Sequence, residues 1–220
     1  MAKAYMDAAS GMLAKADGKD KLLATLQYAA LFACAGEKGD ILAIQKALGS
    51  ARKPFRVMKP VEALVPLVLG PAPKGSPPKK LAANLKALGM AVYFGFDHVV
   101  WLGAVGLIKD KELKERAQKL SFWGWFLGSL CTAGLEASEI AAVASLPAGE
   151  TDEERAERDA KVAAAQKRYV SLTVAAAQCG LSLGLLGVLP FKPRTLGTLG
   201  VIASALSVYQ LTPAVKAKNA

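Results

Sequence analysis

Apolar residues recur along this chain at helical intervals, and alternation with a period of two is scarce, so the pattern predicts helices from end to end. Residues 2–16 predict a short, weakly amphipathic helix that stops at Gly18. Asp20 then stands where a capping carboxylate would open a helix over "KLLATLQYAALFACA", and Gly36 marks its end. Leu22, Leu23, Leu26, Ala30 and Phe32 give that helix a wide stripe suited to a partner helix or a lipid surface.

The segment "DILAIQKALGSARKPFRVMK" carries the clearest two-faced pattern. Wound as a helix, Ile41, Ile44, Leu48, Ala51, Phe55 and Met58 fall within one arc of about 100°. Lys46, Arg52, Lys53 and Arg56 lie on the other side with Gln45, Gly49 and Ser50, and Leu42 is an apolar exception there. Cations opposite an apolar stripe fit a helix lying in a membrane interface, and equally a surface helix packed on its neighbours. Pro54 would cost a helix interior roughly 3 kcal/mol, so the pattern predicts a helix over 41–52 and a bent second piece.

"LGPAPKGSPPKK" (69–80), with its prolines and glycines, predicts a linker. It divides the chain into a basic amphipathic helical region, 1–68, and a membrane-associated helical region, 81–220. Four apolar stretches follow. Residues 85–108 and 169–189 are long enough to span, since about 20 residues cross the hydrocarbon core. Residues 120–135 are shorter and run into Glu136 and Glu139, and 196–212 are marginal. "PFKPR" (190–194) breaks the last two apart. Thr151 and Glu154 form a capping-box pattern opening a long helix, with Glu154–Arg158 and Glu157–Lys161 as favourable pairs on its solvated part. The predicted fold is all-α, a membrane-associated helical bundle with an amphipathic N-terminal segment.

Composition supports this picture. Hydrophobic residues make up 53% of the chain and mean hydropathy is +0.28, between a soluble domain and a pure bundle of spans. The net charge of +10 is uneven: residues 1–84 hold 13 Lys/Arg against 6 Asp/Glu, and residues 136–168 hold 5 against 8. If all four stretches span, the N-terminus, the 136–168 loop and the C-terminal tail share the basic, cytosolic side. Two spans with two interfacial helices is the other arrangement. The basic segment beside apolar runs points to an anionic phospholipid membrane. No nucleic acid is expected, for no aromatic-studded basic strand or recognition helix is present. Cys34, Cys131 and Cys179 read as small buried hydrophobes in a reducing compartment. The N-terminus has no signal-peptide core and the C-terminus no import tripeptide, so the chain is expected to begin in the cytosol.

Asp97 and the lone His98 sit inside "ALGMAVYFGFDHVVWLGAVGLI". One histidine and scattered cysteines cannot make a zinc site, and no nucleophile elbow, Walker loop or dinucleotide fingerprint occurs. Neighbouring residues on a helix diverge by about 100°, so Asp97 and His98 do not serve one reacting atom. Asp97 and Trp101 share a face. A carboxylate in a membrane costs ~3 kcal/mol and therefore faces protein or a water-filled cavity. Asp97, His98 and Trp101 thus read as a helix-packing motif, with a transport path second and catalysis last. No enzyme, cofactor or metal is expected. Gly124/Gly128 and Gly180/Gly184 have the four-residue spacing that permits close helix approach.

The order of four blocks carries a resemblance. "GKDKLLATLQYAA" (18–30), "ARKPFRVMKPVEAL" (51–64), "YFGFDHVVWLGAVGLI" (93–108) and "LGTLGVIASALSVYQL" (196–211) resemble, in register, the conserved blocks of the peroxisomal biogenesis factor 11 family. Pro54 departs from the family's usual aliphatic residue, and "TVAAAQCG" replaces an expected Asn-x-x-Asp-like pair. The resemblance implies a peroxisomal membrane protein, both termini cytosolic, that elongates the organelle and promotes its fission. It implies self-association into homo-oligomers, and partners in a dynamin-type GTPase and its membrane adaptor. The membrane-binding set would be Ile41, Ile44, Lys46, Leu48, Arg52, Lys53, Phe55, Arg56 and Met58. The apolar members would enter the cytosolic leaflet while the cations hold anionic head groups. A channel for small solutes, lined by Asp97, His98 and Gln178, is the alternative.

Overall fold

Side-chain caps or first-turn prolines mark the starts of several helices in this chain. The computed structural model describes residues 2–147 and 151–213. Among them lie α1 (Ala2–Leu13), α2 (Ala16–Cys34), α3 (Asp40–Ala51), a 3-10 turn (Lys53–Arg56), α4 (Lys59–Val68), α5 (Pro77–Ala104), α6 (Lys111–Ala144), α7 (Asp152–Leu185) and α8 (Pro193–Leu211), with no strand. The Asp110 side chain accepts from the N–H groups of Glu112 and Leu113 and so opens α6. Thr151 and Glu154 form the reciprocal capping box that opens α7. α2 ends with Ala35 and Gly36 at φ of 52° and 83°, left-handed values that release the chain from the helix.

Three expectations are corrected. Gly18 does not stop a helix: the break falls earlier, and Gly18 lies in α2 against the backbone of Met12, where α1 crosses with no room for a side chain. Asp20 is not a cap but a buried residue of the second turn of α2. The 69–80 segment is only partly linker. Pro77 and Pro78 occupy the first turn of α5, where their missing N–H groups cost nothing.

Nor does that segment hold two regions apart. Packing follows the spatial order α3–α2–α8–α7–α6–α5–α4, and the 3-10 turn touches α2, α3 and α5, closing the row into a ring. The first half of the chain thus docks on the last helix. Ala24, Tyr28, Tyr93, Trp125 and Leu181 form the core cluster, with Tyr93 stacked on Trp125 at 5.3 Å between ring centroids. Small residues set the closest approaches. A Cβ on Gly89 would meet the backbone of Gly124 and Gly128 at 2.9 and 2.8 Å, so the Gly124/Gly128 spacing serves contact within the chain, between α5 and α6. Gly200 lies flat against the Tyr28 ring in the same way.

α5 and α6 are long and apolar enough to cross a membrane. The 120–135 stretch, short when read alone, lies in the middle of one continuous 34-residue helix, so its length is not limiting.

Candidate functional site

Three of the four blocks, far apart in sequence, meet at one buried ionic junction. α2 brings Asp20 and Gln27, the end of α3 brings Arg52, the 3-10 turn brings Lys53 and Arg56, and α5 brings Tyr93 and Asp97. The turn explains the local geometry. Residues i and i+3 eclipse in a 3-10 helix, so Lys53 and Arg56 point the same way and reach the same carboxylate. Pro54, which an α-helix interior would resist, sits comfortably in that turn.

Arg56 is the hub. Its Nε donates to Asp20 Oδ1 at 2.8 Å and Nη2 to Asp20 Oδ2 at 3.3 Å. Its Nη1 donates to the Tyr93 hydroxyl at 2.9 Å and to Asp97 Oδ2 at 3.3 Å. Arg52 donates to Asp20 Oδ1 at 3.0 Å and to Gln27 Oε1 at 2.7 Å, and Lys53 donates to Asp97 Oδ1. Beside the junction, Lys59 bridges Asp17 at 2.8 Å and Glu62 at 2.6 Å. Side chains of Asp20, Arg56 and Asp97 are 5–6% exposed, so the charges depend on one another rather than on water. Burial alone would raise the Asp20 carboxyl, but Arg56 and Arg52 outweigh it and hold the group well below the usual carboxylate range. Burial pushes the Lys53 ammonium down, with Asp97 opposing.

A cavity of about 280 Å³ opens next to the junction. The amides of Gln27, Gln45 and Gln118 line its polar side, and Phe122, Trp125 and Leu185 its apolar side. A smaller cavity of about 50 Å³ shares Arg56 and Tyr93 in its lining and is lined in part by Gln178. Asp97 and Gln178 therefore border different cavities, and Gln178 is engaged by the Ser129 hydroxyl at 3.2 Å. Among the described residues no group of three His, Cys, Asp or Glu side chains could hold a metal.

The sequence-predicted membrane residues divide. Ile41, Ile44, Lys46 and Met58 are exposed, while Leu48 and Phe55 are half-buried, with Lys19 above the Phe55 ring at 5.9 Å. Arg52 and Arg56 are buried and Lys53 is largely covered, so the expectation that these three lie on the membrane-facing side is corrected: they turn into the bundle and pair with Asp20 and Asp97. Of the α5 motif, Asp97 joins the junction, His98 Nδ1 sits 2.5 Å from the Phe94 carbonyl of its own helix, and Trp101 is half-buried. Pattern reading missed Asp20, Gln27 and Tyr93 as site residues. The available signal was chemical: two acids in apolar surroundings need cations, and the "ARKPFR" cluster supplies them.

Comparison with known proteins places this arrangement. The family model described as peroxisomal biogenesis factor 11 (PEX11) matches residues 6–212. The chain is 34% identical over 211 residues to peroxisomal membrane protein 11C of Arabidopsis thaliana, covering 91% of this chain and 89% of that one. It is 31% identical over 220 residues to peroxisomal membrane protein 11-1 of Oryza sativa subsp. japonica, covering 94% and 92%. No solved structure matches. Similarity of this extent, running through all four blocks, shows that the chain belongs to the peroxisomal biogenesis factor 11 family of peroxisomal membrane proteins.

Proposed function

We propose that the chain elongates the peroxisomal membrane, and so promotes proliferation and fission of the organelle, by seating α3 and α4 in the cytosolic leaflet and associating with further copies of itself. One observation carries this reading: large apolar residues of α3 face outwards. Gln45 and Gly49, with Arg52 just after the helix, turn towards the bundle beside Leu42 and Leu48, while Ile41 and Ile44, 47% and 54% exposed, turn away from it. Water would favour the reverse, and lipid favours what is found. α4 continues the apolar surface through Val61, Val65, Val68 and Leu69, the last two 73% and 80% exposed. Burying each such side chain fully contributes about 1.5–3 kcal/mol, which makes shallow insertion favourable without any ion pair. Lys46, exposed on α3, is the cation left to meet anionic phospholipid.

In this reading α5 and α6 anchor the bundle as spans, both termini stay cytosolic, and the added volume in one leaflet bends it. Scission falls to a dynamin-type GTPase recruited with its membrane adaptor. The test is reconstitution of the full chain into vesicles. Wild type should draw tubules, and Ile41→Asp with Ile44→Asp should abolish them while the protein remains in the membrane. Tubulation that survives this pair of changes would sink the proposal. Flux of small solutes without any change in vesicle shape would support a channel instead.

A further inference from the structure

We propose that the 280 Å³ cavity is a binding site for a phosphate monoester. Its volume falls just below the usual range of ligand pockets, about 300–1,000 Å³, and suits a phosphate with a short polyol attached. Charge balance points to a dianion. Lys46, Arg52, Lys53 and Arg56 line the cavity against one lining carboxylate, Asp97, with Asp20 behind. Lys21 also approaches Asp20, at 3.9 Å, so the cations outnumber the two carboxylates by at least two, and a ligand is left to neutralise that excess.

The donors are in surplus as well. Lys53 gives one of its N–H groups to Asp97, and Arg52 spends three of its five on Asp20 and Gln27. Lys46, Gln45 and Gln118 make no hydrogen bond to another described side chain, although each borders the cavity. A phosphate monoester is close to doubly charged at neutral pH and accepts several hydrogen bonds, whereas a carboxylate or phosphodiester would leave charge and donors unmatched. The wall of Phe122, Trp125 and Leu185 offers an apolar face for the carbon skeleton of a glycerol or inositol moiety. Both a soluble ester and a lipid head group of this chemistry satisfy the site. The inference does not depend on α3 entering a membrane.

The experiment uses the full-length protein in neutral detergent, titrated with glycerol 3-phosphate and, as the uncharged control, glycerol. Heat of binding and the thermal unfolding midpoint are both read. Wild type should show saturable binding of the phosphate and none of glycerol, weakening below about pH 6 as the ester takes up a proton. Lys46→Ala with Gln118→Ala, which spares every residue of the ion junction, should weaken binding at least about tenfold at an unchanged midpoint of the unliganded protein. Should that pair fail to fold, Lys46→Ala alone, at an exposed position, should still weaken it about threefold. A second arm compares vesicles containing phosphatidic acid with vesicles of equal surface charge made with phosphatidylserine. Preference for phosphatidic acid, removed by glycerol 3-phosphate, assigns the site to a lipid head group; saturable binding of the soluble ester with no such preference assigns it to a free metabolite. No saturable binding in either arm, or binding unaffected by the substitutions, overturns the proposal.

Discussion

Two of the ion-pair sets that tie the helices of this bundle together use the same pairing of carboxylate with cation. At one, Asp20, Arg52, Arg56 and Asp97 join α2, the end of α3, the 3-10 turn and α5, their side chains only 5–10% exposed. At the other, Lys79 of α5 meets Glu139 of α6 at 2.8 Å, and Arg168 of α7 meets Glu136 and Glu139 at 3.1 and 3.7 Å. The second set is open to solvent, its side chains 21–42% exposed. Distances hardly distinguish the two; dielectric surroundings do. Removing a partner from the buried set strands a charge that water cannot solvate, while removing one from the open set exchanges protein for water.

Arg56→Ala is the most severe way to break the comparison. It leaves Asp20 and Asp97 each short of a cation and the Tyr93 hydroxyl without its donor. A loss of about 3–5 kcal/mol is expected, read as a lowered denaturant midpoint in detergent or as lost abundance in cells. An effect below about 1 kcal/mol would place the two ion sets in the same class.

Acid sharpens the comparison at an intermediate level. The folded Asp20 carboxyl is held below its unfolded value, so its contribution is complete above about pH 4 and fades as pH falls through the lower folded value. Denaturant titrations at pH 7 and pH 3 should show wild type losing more stability than Asp20→Asn, which begins less stable and has no such carboxyl to protonate. Equal losses would mean that Asp20 is not held low.

The smallest effect belongs to the open set. Glu139→Gln should cost no more than about 1 kcal/mol at low ionic strength, and the difference from wild type should shrink in 0.5 M salt. The same salt should leave the penalty of Arg56→Ala nearly unchanged.

How much of this was legible in the sequence follows the range over which each signal acts. The Thr151–Glu154 capping box and the end of α2 at Gly36 are local signals, and each lies where the pattern places it; of the apolar stretches, 169–189 runs past the end of α7 at Leu185, and the two helices long and apolar enough to span are those holding 85–104 and 120–135. Asp20 was misread because "GKDK" after a glycine has the local chemistry of a helix start, while its real partners are 32 and 36 residues away. Periodicity groups Gln45, Gly49 and Arg52 on one face of α3 together with Lys46 and Ser50, which the structure leaves exposed. It could not say that the first three turn inwards, because that depends on carboxylates and amides supplied by α2 and α5. The resemblance of separated blocks held more of the site than any one block, since the junction exists only where the blocks meet.

The docking of α2 on α8 also dictates an order of events during synthesis. Tyr28 and Gly200, packed ring against backbone, are about 170 residues apart, so the contact has to wait for nearly the whole chain. At roughly 5–20 residues per second, α2 spends about 10–30 s outside the ribosome with Tyr28 and Phe32 lacking their final neighbours on α8. A chain truncated before residue 193 should therefore leave Tyr28 and Phe32 uncovered. Completion of α8 is then the step that releases the protein in a form able to keep its own core closed.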